Sequence, residues 1–167
     1  KKVKIKLAEI KTHPKMQSRC DIGTERVETA ISSYMDGYKD GVEIDLIRVW
    51  SAEGHYYAQD HLRLEAQKRL GREEIDVLAI GEGTINDGIL MSLTMNTDHG
   101  LLLTKDDKKK KVKIALELPE CQNWTNMAIA RHCGVSEGLV RTIKAELASS
   151  FETKMPEATV KEVQRGT

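Results

Sequence analysis

Residues 126–144 have the types and the spacing that could read a DNA duplex. Ala130 is small enough to let two helices cross closely, and Gly134, four positions later, tolerates the positive φ of a tight turn. Ser136 is a sound N-cap for a second helix. The apolar residues that would bracket the turn and pin both helices are Ile129, Cys133, Val135, Val140 and Ile143. The segment therefore predicts a helix-turn-helix, and a generic helical hairpin with a glycine turn is the alternative.

The second helix, predicted over residues 137–144, would enter the major groove. Arg141 could donate to a guanine edge, and Lys144 could bind a phosphate. Gly138 is unusual inside a helix, where it costs roughly 1 kcal/mol relative to Ala, and it could allow a close approach to the groove. The residues of this segment that we predict to contact DNA are Ser136, Glu137, Arg141, Thr142 and Lys144.

A run of four lysines lies upstream of this segment, in a helix predicted to begin near Lys105 with Thr104 as its N-cap. The ordinary interpretation of such a run is a solvated helix face. Beside a helix-turn-helix, the run instead predicts a patch that contacts phosphates. Its members are Lys108, Lys109, Lys110 and Lys111.

A second candidate site lies at the start of a helix predicted over residues 61–70. Leu62, Ala66 and Leu70 stand four residues apart, and Gly71 can supply the C-cap. A helix N-terminus presents unpaired N–H groups, and Arg63 in its first turn would add positive charge, so the pattern indicates an anion site. The alternative is a core helix with a routine cap.

The elements that must position these residues follow from hydrophobic periodicity and from turn residues. Those predicted in the first half are a strand over 2–7, a helix over 24–36 that is capped by Thr24 and ended by Gly37 and Gly41, strands over 44–50 and 55–58, the helix over 61–70, a strand over 75–80 and a helix over 86–95. After residue 96 only helical patterns occur. The sequence thus predicts an α+β fold, in which a mixed-sheet domain precedes an all-helical domain.

The 167 residues fit two small domains. We predict an α+β domain over residues 1–97, a helical domain over 98–148 and an exposed tail over 149–167, where large apolar residues are few. Lysine and arginine number 26 against 26 aspartate and glutamate, which excludes binding of nucleic acid by bulk positive charge. Any such binding must come from a local basic patch.

The composition also predicts a cytoplasmic location. No apolar stretch approaches the roughly 20 residues of a membrane span, and the alternating Lys and apolar residues at the start do not resemble a secretory signal. The sequence has three cysteines, Cys20, Cys121 and Cys133, and an odd number favours reduced thiols over a disulfide framework. Because their spacing is not that of zinc ligands, we expect no metal site.

Several of these motifs together resemble the ParB/sulfiredoxin superfamily. The string Asp60-His61-Leu62-Arg63-Leu64-Glu65-Ala66 and the following Lys68-Arg69-Leu70-Gly71 are similar to the core motif of that family. The segment 13–19, with His13-Pro14 and Gln17-Ser18-Arg19, is similar to its opening arginine motif. Asn96, His99-Gly100-Leu101 and Trp124-Thr125-Asn126 resemble stretches of ParB-like regulators. The resemblance covers about residues 5–147 and implies a ParB-like N-terminal domain followed by a helix-turn-helix.

The resemblance implies a nucleotide, CTP or ATP with Mg²⁺, as the candidate cofactor, bound by Arg19, His61 and Arg63. This sequence departs from the motif at two positions. Asp60 stands where the family has Gly, and Leu62 stands where it has a basic residue. Because a carboxylate repels phosphate and a Cβ hinders backbone approach, these departures count against nucleotide binding. Sulfiredoxin chemistry is disfavoured because residues 58–63 contain no Cys.

Three hypotheses for function result. The first is a DNA-binding protein of the ParB-like type, partition-like or a transcriptional regulator, which is associated with the nucleoid or a plasmid and binds double-stranded DNA as a homodimer. The second is a ParB-like nuclease or nucleotide-hydrolysing enzyme centred on the loop 60–63. Its candidate metal-binding residues match no ligand motif and are Asp45, His55, Asp60, His61 and Glu65. The third is a scaffold that binds another protein through the first domain.

Overall fold

The computed structural model describes residues 1–95 and 101–154. The strands in this part of the chain are β1 (Lys2–Lys6), β2 (Ile10–Lys11), β3 (Ile47–Ala52), β4 (His55–Ala58) and β5 (Glu74–Glu82). The helices in the same part are α1 (Glu25–Lys39), α2 (His61–Arg69), α3 (Ile85–Leu93), α4 (Lys105–Glu117), α5 (Asn126–Cys133) and α6 (Glu137–Lys154). The strands form one mixed sheet in the order β1-β5-β3-β4-β2. The predicted α+β class is confirmed.

The charged alternation at the start of the chain produces the edge strand β1. It pairs antiparallel with β5, with Val3 opposite Val77 and Ile5 opposite Ile75. Successive side chains of a strand point to opposite faces, so Ile5 is buried while Lys4 and Lys6 are exposed. β5 also pairs parallel with β3, so β5 lies between β1 and β3 in the sheet.

β3 and β4 form the predicted hairpin. Ala52 pairs with His55, and the two residues between them both have positive φ, 52° at Glu53 and 76° at Gly54. Two positive φ values are the conformation that a two-residue hairpin with the right-handed twist of a sheet requires. β3 begins at Ile47, three residues later than the prediction of 44.

The helices α1 and α2 pack against each other through Val27, Ile31, Leu62 and Ala66, which form one buried cluster. Thr24 caps α1 as predicted, because its side chain accepts from the backbone N–H of Val27. The prediction that Gly37 ends this helix was wrong. α1 continues through it to Lys39 and ends before Gly41, whose φ of 71° is left-handed. A Cβ on Gly37 would lie only 2.9 Å from Ile44 Cδ1.

The helices of the second half begin at side-chain caps. Thr104 and Asp107 form a reciprocal capping box at the start of α4, and Thr125 caps α5. α5 ends at Gly134, whose φ of 69° and ψ of 37° are left-handed, and α6 follows after a short turn. α6 reaches Lys154, ten residues beyond the predicted end at Lys144.

One hydrophobic cluster joins the sheet half and the helical half of the molecule. It contains Trp50 and Ile89 from the first half and Val112, Val140 and Ile143 from the second. The two halves therefore share a core across the predicted boundary at residue 97.

Some predictions fall on residues outside the described part of the chain. These are the boundary at 97/98, the motif residues Asn96, His99 and Gly100, and residues 155–167 of the predicted tail. Residues 149–154 of that tail belong to α6. Within the described residues, no helix is both long enough and apolar enough to cross a membrane.

Candidate functional site

The start of α2 is organised around the carboxylate of Asp60. Arg48 donates to it through Nε (3.0 Å) and Nη2 (2.6 Å), and the backbone N–H of Arg48 adds a third bond of 2.7 Å. Arg63 donates a fourth, from Nη2 at 3.1 Å. The Asp60 side chain is 8% exposed, so these bonds operate in a largely desolvated place. Two guanidinium groups thus converge on one buried anionic group.

Arg63 also fastens the loop that precedes β3. Its Nη1 donates to the backbone carbonyl of Asp45 at 2.8 Å and contacts that of Leu46 at 3.5 Å. Arg63 is therefore occupied by one carboxylate and two carbonyl oxygens. It does not point a solvated positive charge at an incoming phosphate.

His61 is neutral at physiological pH. Burial is the largest influence and lowers its pKa to about 4, although the nearby Asp60 acts in the opposite direction. The backbone oxygen of Gln59 accepts a bond from the ring, which leaves Nε2 as a buried nitrogen without a hydrogen-bond partner. His61 thus contributes no positive charge at the start of α2.

Arg19 reaches the same region from the segment before α1. Its guanidinium donates to the backbone carbonyls of Leu101 and Leu102 and lies 3.9 Å from Asp107 Oδ2. The side chain is 5% exposed, and this burial lowers the pKa of Arg19. Arg19 therefore holds the chain that leads into α4.

The predicted anion-binding residues Arg19, His61 and Arg63 line one cavity of about 70 Å³, together with Asp60 and Gln59. The structure thus brings the three predicted residues together. Ligand pockets usually have volumes of about 300–1,000 Å³. With both arginines engaged, the histidine neutral and a carboxylate at the centre, the arrangement does not fit a nucleoside triphosphate.

The thiols are not arranged for nucleophilic chemistry. Burial raises the pKa of Cys133 to about 11 and also raises the pKa values of Cys121 and of Cys20, so none of the three is an activated thiolate. Among the described residues, no group of three or more His, Cys, Asp or Glu side chains could hold a metal ion. The nuclease hypothesis therefore gains no support from the described residues.

α6 has an exposed polar face and, on its opposite side, two fully buried apolar residues. Val140 and Ile143 are in the core. Ser136 Oγ accepts from the backbone N–H of Leu139 at 3.1 Å, which confirms Ser136 as the N-cap. Arg141 is 70% exposed in its side chain and pairs with Glu137 at 2.9 Å. Other exposed residues on this face are Thr142 and Lys144.

The lysine run does not form one solvated patch, so part of the prediction is corrected. Lys111 is 0% exposed, its Nζ donates to the backbone carbonyl of Met95 at 3.3 Å, and burial lowers its pKa. Lys110 Nζ contacts the backbone carbonyl of Arg19 at 3.4 Å. Lys108 is exposed and Lys109 is half-buried. Lys111 cannot contact DNA from this position, since it lies on the face of α4 that packs on the core.

Arg48 and Gln59 are the site residues that the sequence analysis missed. Arg48 lies in β3, and its carbonyl accepts the backbone N–H of Gln59 at 2.8 Å just beyond the hairpin pairs. The register of the hairpin was the signal that could have revealed the pair. From the two-residue turn at 53–54, counting back along both strands places Arg48 beside the start of α2.

No family model matches the chain, and no curated protein matches it. Among solved structures, the C-terminally truncated chromosome-partitioning protein ParB from Caulobacter crescentus, complexed to the centromeric parS site, is 17% identical and superposes with a TM-score of 0.51. The match covers 98% of this chain and 78% of that chain. A sulfiredoxin from Arabidopsis thaliana is 25% identical with a TM-score of 0.40, over 52% of this chain and 91% of that chain. A Pnob8-like ParB-N domain is 16% identical with a TM-score of 0.48, and the match covers 77% of this chain and 50% of that chain.

The likeness to the Caulobacter ParB shows the class of fold, because its TM-score is 0.51 and the match extends over nearly all of this chain. The chain has a ParB-like fold, as the sequence resemblance implied. A sequence identity of 17% is evidence for a shared fold and for nothing further.

Proposed function

We propose that this protein binds double-stranded DNA through α5 and α6, as a ParB-like partition protein or transcriptional regulator. The observation that carries the proposal is the two-sided character of α6. Val140 and Ile143 anchor it in the core, while Arg141, Thr142 and Lys144 face solvent on the other side. A recognition helix needs this combination, because it must be held rigidly while its polar side chains reach base edges.

The turn between the two helices supports the proposal. Gly134 takes the left-handed conformation that lets α5 stop abruptly, and Ala130 is buried near the turn. The Caulobacter ParB whose fold this chain shares was solved in complex with the centromeric parS site. That a protein of similar fold is found bound to DNA supports the proposal.

Within this proposal, Arg141 reads a base and Lys144 binds a phosphate. Glu137 holds the Arg141 guanidinium at 2.9 Å in the absence of DNA, and an exposed pair at this spacing is worth only about 0.3–0.5 kcal/mol. A guanine edge can therefore displace Glu137 easily. Of the lysine run, Lys108 and Lys109 are the members left for phosphate contacts, together with the exposed Lys105.

The proposal includes assembly and location. A single helix-turn-helix reads a short half-site, and two copies related by twofold symmetry would read a palindrome. We accordingly propose a homodimer that associates with cytoplasmic DNA.

The test is selection of a preferred sequence from random DNA duplexes, followed by binding measurements on that sequence and on a scrambled duplex. Arg141→Ala should weaken binding to the preferred sequence by about tenfold or more and leave the scrambled duplex almost unaffected, since one bidentate base contact is worth about 1–3 kcal/mol. The matched control is Arg72→Ala, which removes an exposed arginine between α2 and β5. Equal losses on both duplexes would contradict base readout by Arg141, and failure to select any sequence would contradict the proposal.

A further inference from the structure

We propose that the start of α2 is an anion site that the protein fills with its own carboxylate, that of Asp60. In this arrangement the chain carries the chemistry of a phosphate or other oxyanion site, but the position of the oxyanion is permanently taken. The inference concerns the first half of the molecule and does not depend on DNA binding by α6.

The geometry around Asp60 is that of a bound oxyanion. Arg48 approaches both carboxylate oxygens side by side, with Nη2 at 2.6 Å from Oδ1 and Nε at 3.0 Å from Oδ2. This is the two-point arrangement in which arginine binds carboxylates and phosphates alike. Arg63 and the backbone N–H of Arg48 complete a shell of donors on three sides. Such a shell serves an oxyanion, whichever molecule supplies it.

Asp60 does not act as an ordinary N-cap, although it occupies that position. An N-cap aspartate normally accepts from the backbone N–H groups of the first helical turn. Here the side chain of Asp60 makes no such bond, because both oxygens turn toward Arg48 and Arg63. The orientation of the carboxylate is therefore set by the two guanidinium groups. The N-terminal N–H groups of α2 receive nothing from it, and they remain part of an anion-binding environment.

Two acceptors without a hydrogen-bond partner also line the cavity. Gln59 is 7% exposed and lines the cavity, and its Oε1 has no hydrogen-bond partner. Its amide nitrogen lies 3.5 Å from the carbonyl of Gly88, which fixes the orientation of the amide. His61 adds the second acceptor without a partner, Nε2. A second oxyanion beside Asp60 would meet these two acceptors and a carboxylate, so the wild-type cavity excludes it.

Removal of the carboxylate should reveal the site. Asp60→Gly would leave two guanidinium groups and the start of a helix around an open space with no negative charge between them. Asp60→Ala also empties that space, and it adds less backbone freedom to the chain than glycine does. Both variants should then take up inorganic phosphate, whereas the wild type should not.

The experiment measures thermal unfolding of the full chain with inorganic phosphate at increasing concentration, with chloride at equal ionic strength as the reference. At a phosphate concentration ten times the Kd, binding to the folded state alone should raise Tm by about 3–6 °C. We expect that rise in Asp60→Gly and Asp60→Ala. The wild type should show none, nor should Asp45→Asn, the matched control that removes an exposed carboxylate beside the same arginine.

Calorimetric titration of the wild type with CTP or ATP plus Mg²⁺ is the second arm. No heat of binding at millimolar nucleotide supports the proposal, and binding with a Kd below about 1 mM would overturn it. The proposal is equally overturned if a folded Asp60 variant, verified by circular dichroism, responds to phosphate no more than Asp45→Asn does. If neither Asp60 variant folds, the wild-type nucleotide titration alone decides. A negative result here leaves the DNA-selection test on α6 unaffected.

Discussion

The protonation of His61 couples the start of α2 to the stability of the whole protein. The folded state holds the pKa of His61 at about 4, against an ordinary value of 6.5, because burial disfavours the imidazolium. Between these two pH values the unfolded chain binds more protons at this position than the folded one. Stability from His61 is therefore complete above pH 6.5 and is lost as the pH falls toward 4.

We predict that His61→Gln flattens the dependence of stability on pH. Integrating over the window, the wild type should lose about 2 kcal/mol of unfolding free energy between pH 7 and pH 5 through this residue alone, and the variant should not lose it. Urea unfolding at the two pH values gives the comparison. His55→Gln, at an exposed position on β4, is the control and should retain the wild-type slope. An unchanged slope in His61→Gln would show that another group carries the acid sensitivity.

At the residue scale, the sequence predicted which side chains lie together but not which hydrogen-bond partners each of them has. Arg19, His61 and Arg63 were predicted to share a site and do line one cavity. The carboxylate of Asp60 was expected only to repel an anion, whereas it organises the site. Its partner Arg48 lies twelve positions earlier on a different element. Motif spacing does not show this pairing, which follows only when the register is counted back from the hairpin turn.

Lys111 is a second residue whose environment was not predicted from the sequence. A run of four lysines has no internal contrast, so the run taken by itself does not reveal which lysine faces inward. The capping box at Thr104 fixes where α4 begins, and the apolar Val112 and Ala115 fix which side packs on the core. Lys111 falls on that side, and the carbonyl of Met95 satisfies its amine. A helical projection anchored at Thr104 would have predicted this burial.

At the scale of elements, helix starts were predictable because caps are local. Three residues predicted as N-caps accept a backbone N–H in the first turn of their helices, namely Thr24, Thr104 and Ser136. Sheet order was not predictable, since β1 pairs with β5 across most of the first half of the chain. The end of α1 was predicted less well, because the helix passes Gly37 and stops only before Gly41.

Gly138 is an element-scale feature that the folded chain itself does not explain. A Cβ at this position would meet only Arg141 Nη2 at 3.9 Å and Ser136 Oγ at 4.0 Å, which are ordinary contacts. Its φ is not among the positive values. Neither crowding nor backbone conformation within the described chain therefore requires glycine in the first turn of α6.

We predict that Gly138→Ala separates stability from DNA binding. The variant should be more stable by about 0.5–1 kcal/mol, because alanine favours the helix and reduces the entropy of the unfolded chain. If the first turn of α6 approaches DNA closely, the same methyl group should weaken binding to the preferred duplex. Urea unfolding and duplex titration on one preparation measure both effects. Ser150→Ala, exposed near the other end of α6, should not weaken binding. Unimpaired binding by a stabilised Gly138→Ala would exclude a close approach at this position.

At the scale of the whole molecule, polar contacts as well as the shared core join the two halves. Arg26 binds the carbonyl of Leu102 at 2.5 Å, and the backbone N–H of Cys20 binds Asp107 Oδ1 at 2.6 Å. Arg19 and Lys110 add contacts between the same two segments. The segment before α1 thus holds the start of α4, from which the chain continues to α5 and α6. The neutral total charge conceals this internal pairing, since several basic residues are used to assemble the fold.

The whole-molecule prediction is that both halves unfold together. The two tryptophans of the sequence are placed to test it, because Trp50 lies in β3 and Trp124 lies just before α5. Trp50→Phe leaves a fluorescence probe in the helical half, and Trp124→Phe leaves one in the sheet half. Since Trp50 belongs to the cluster that contains Val112 and Ile143, loss of either half exposes the core of the other.

In each single-tryptophan variant, the urea midpoint from fluorescence should therefore coincide with the midpoint from far-ultraviolet circular dichroism. Comparing the two probes within one variant removes the effect of each substitution on stability. A helical half that unfolds at lower urea than the sheet half would contradict the prediction, and it would show that the cluster joins two separately stable domains. Coincident midpoints would mean that the two halves unfold as one cooperative unit, so a substitution that destabilises the start of α2 would also lower the urea midpoint at which α6 unfolds.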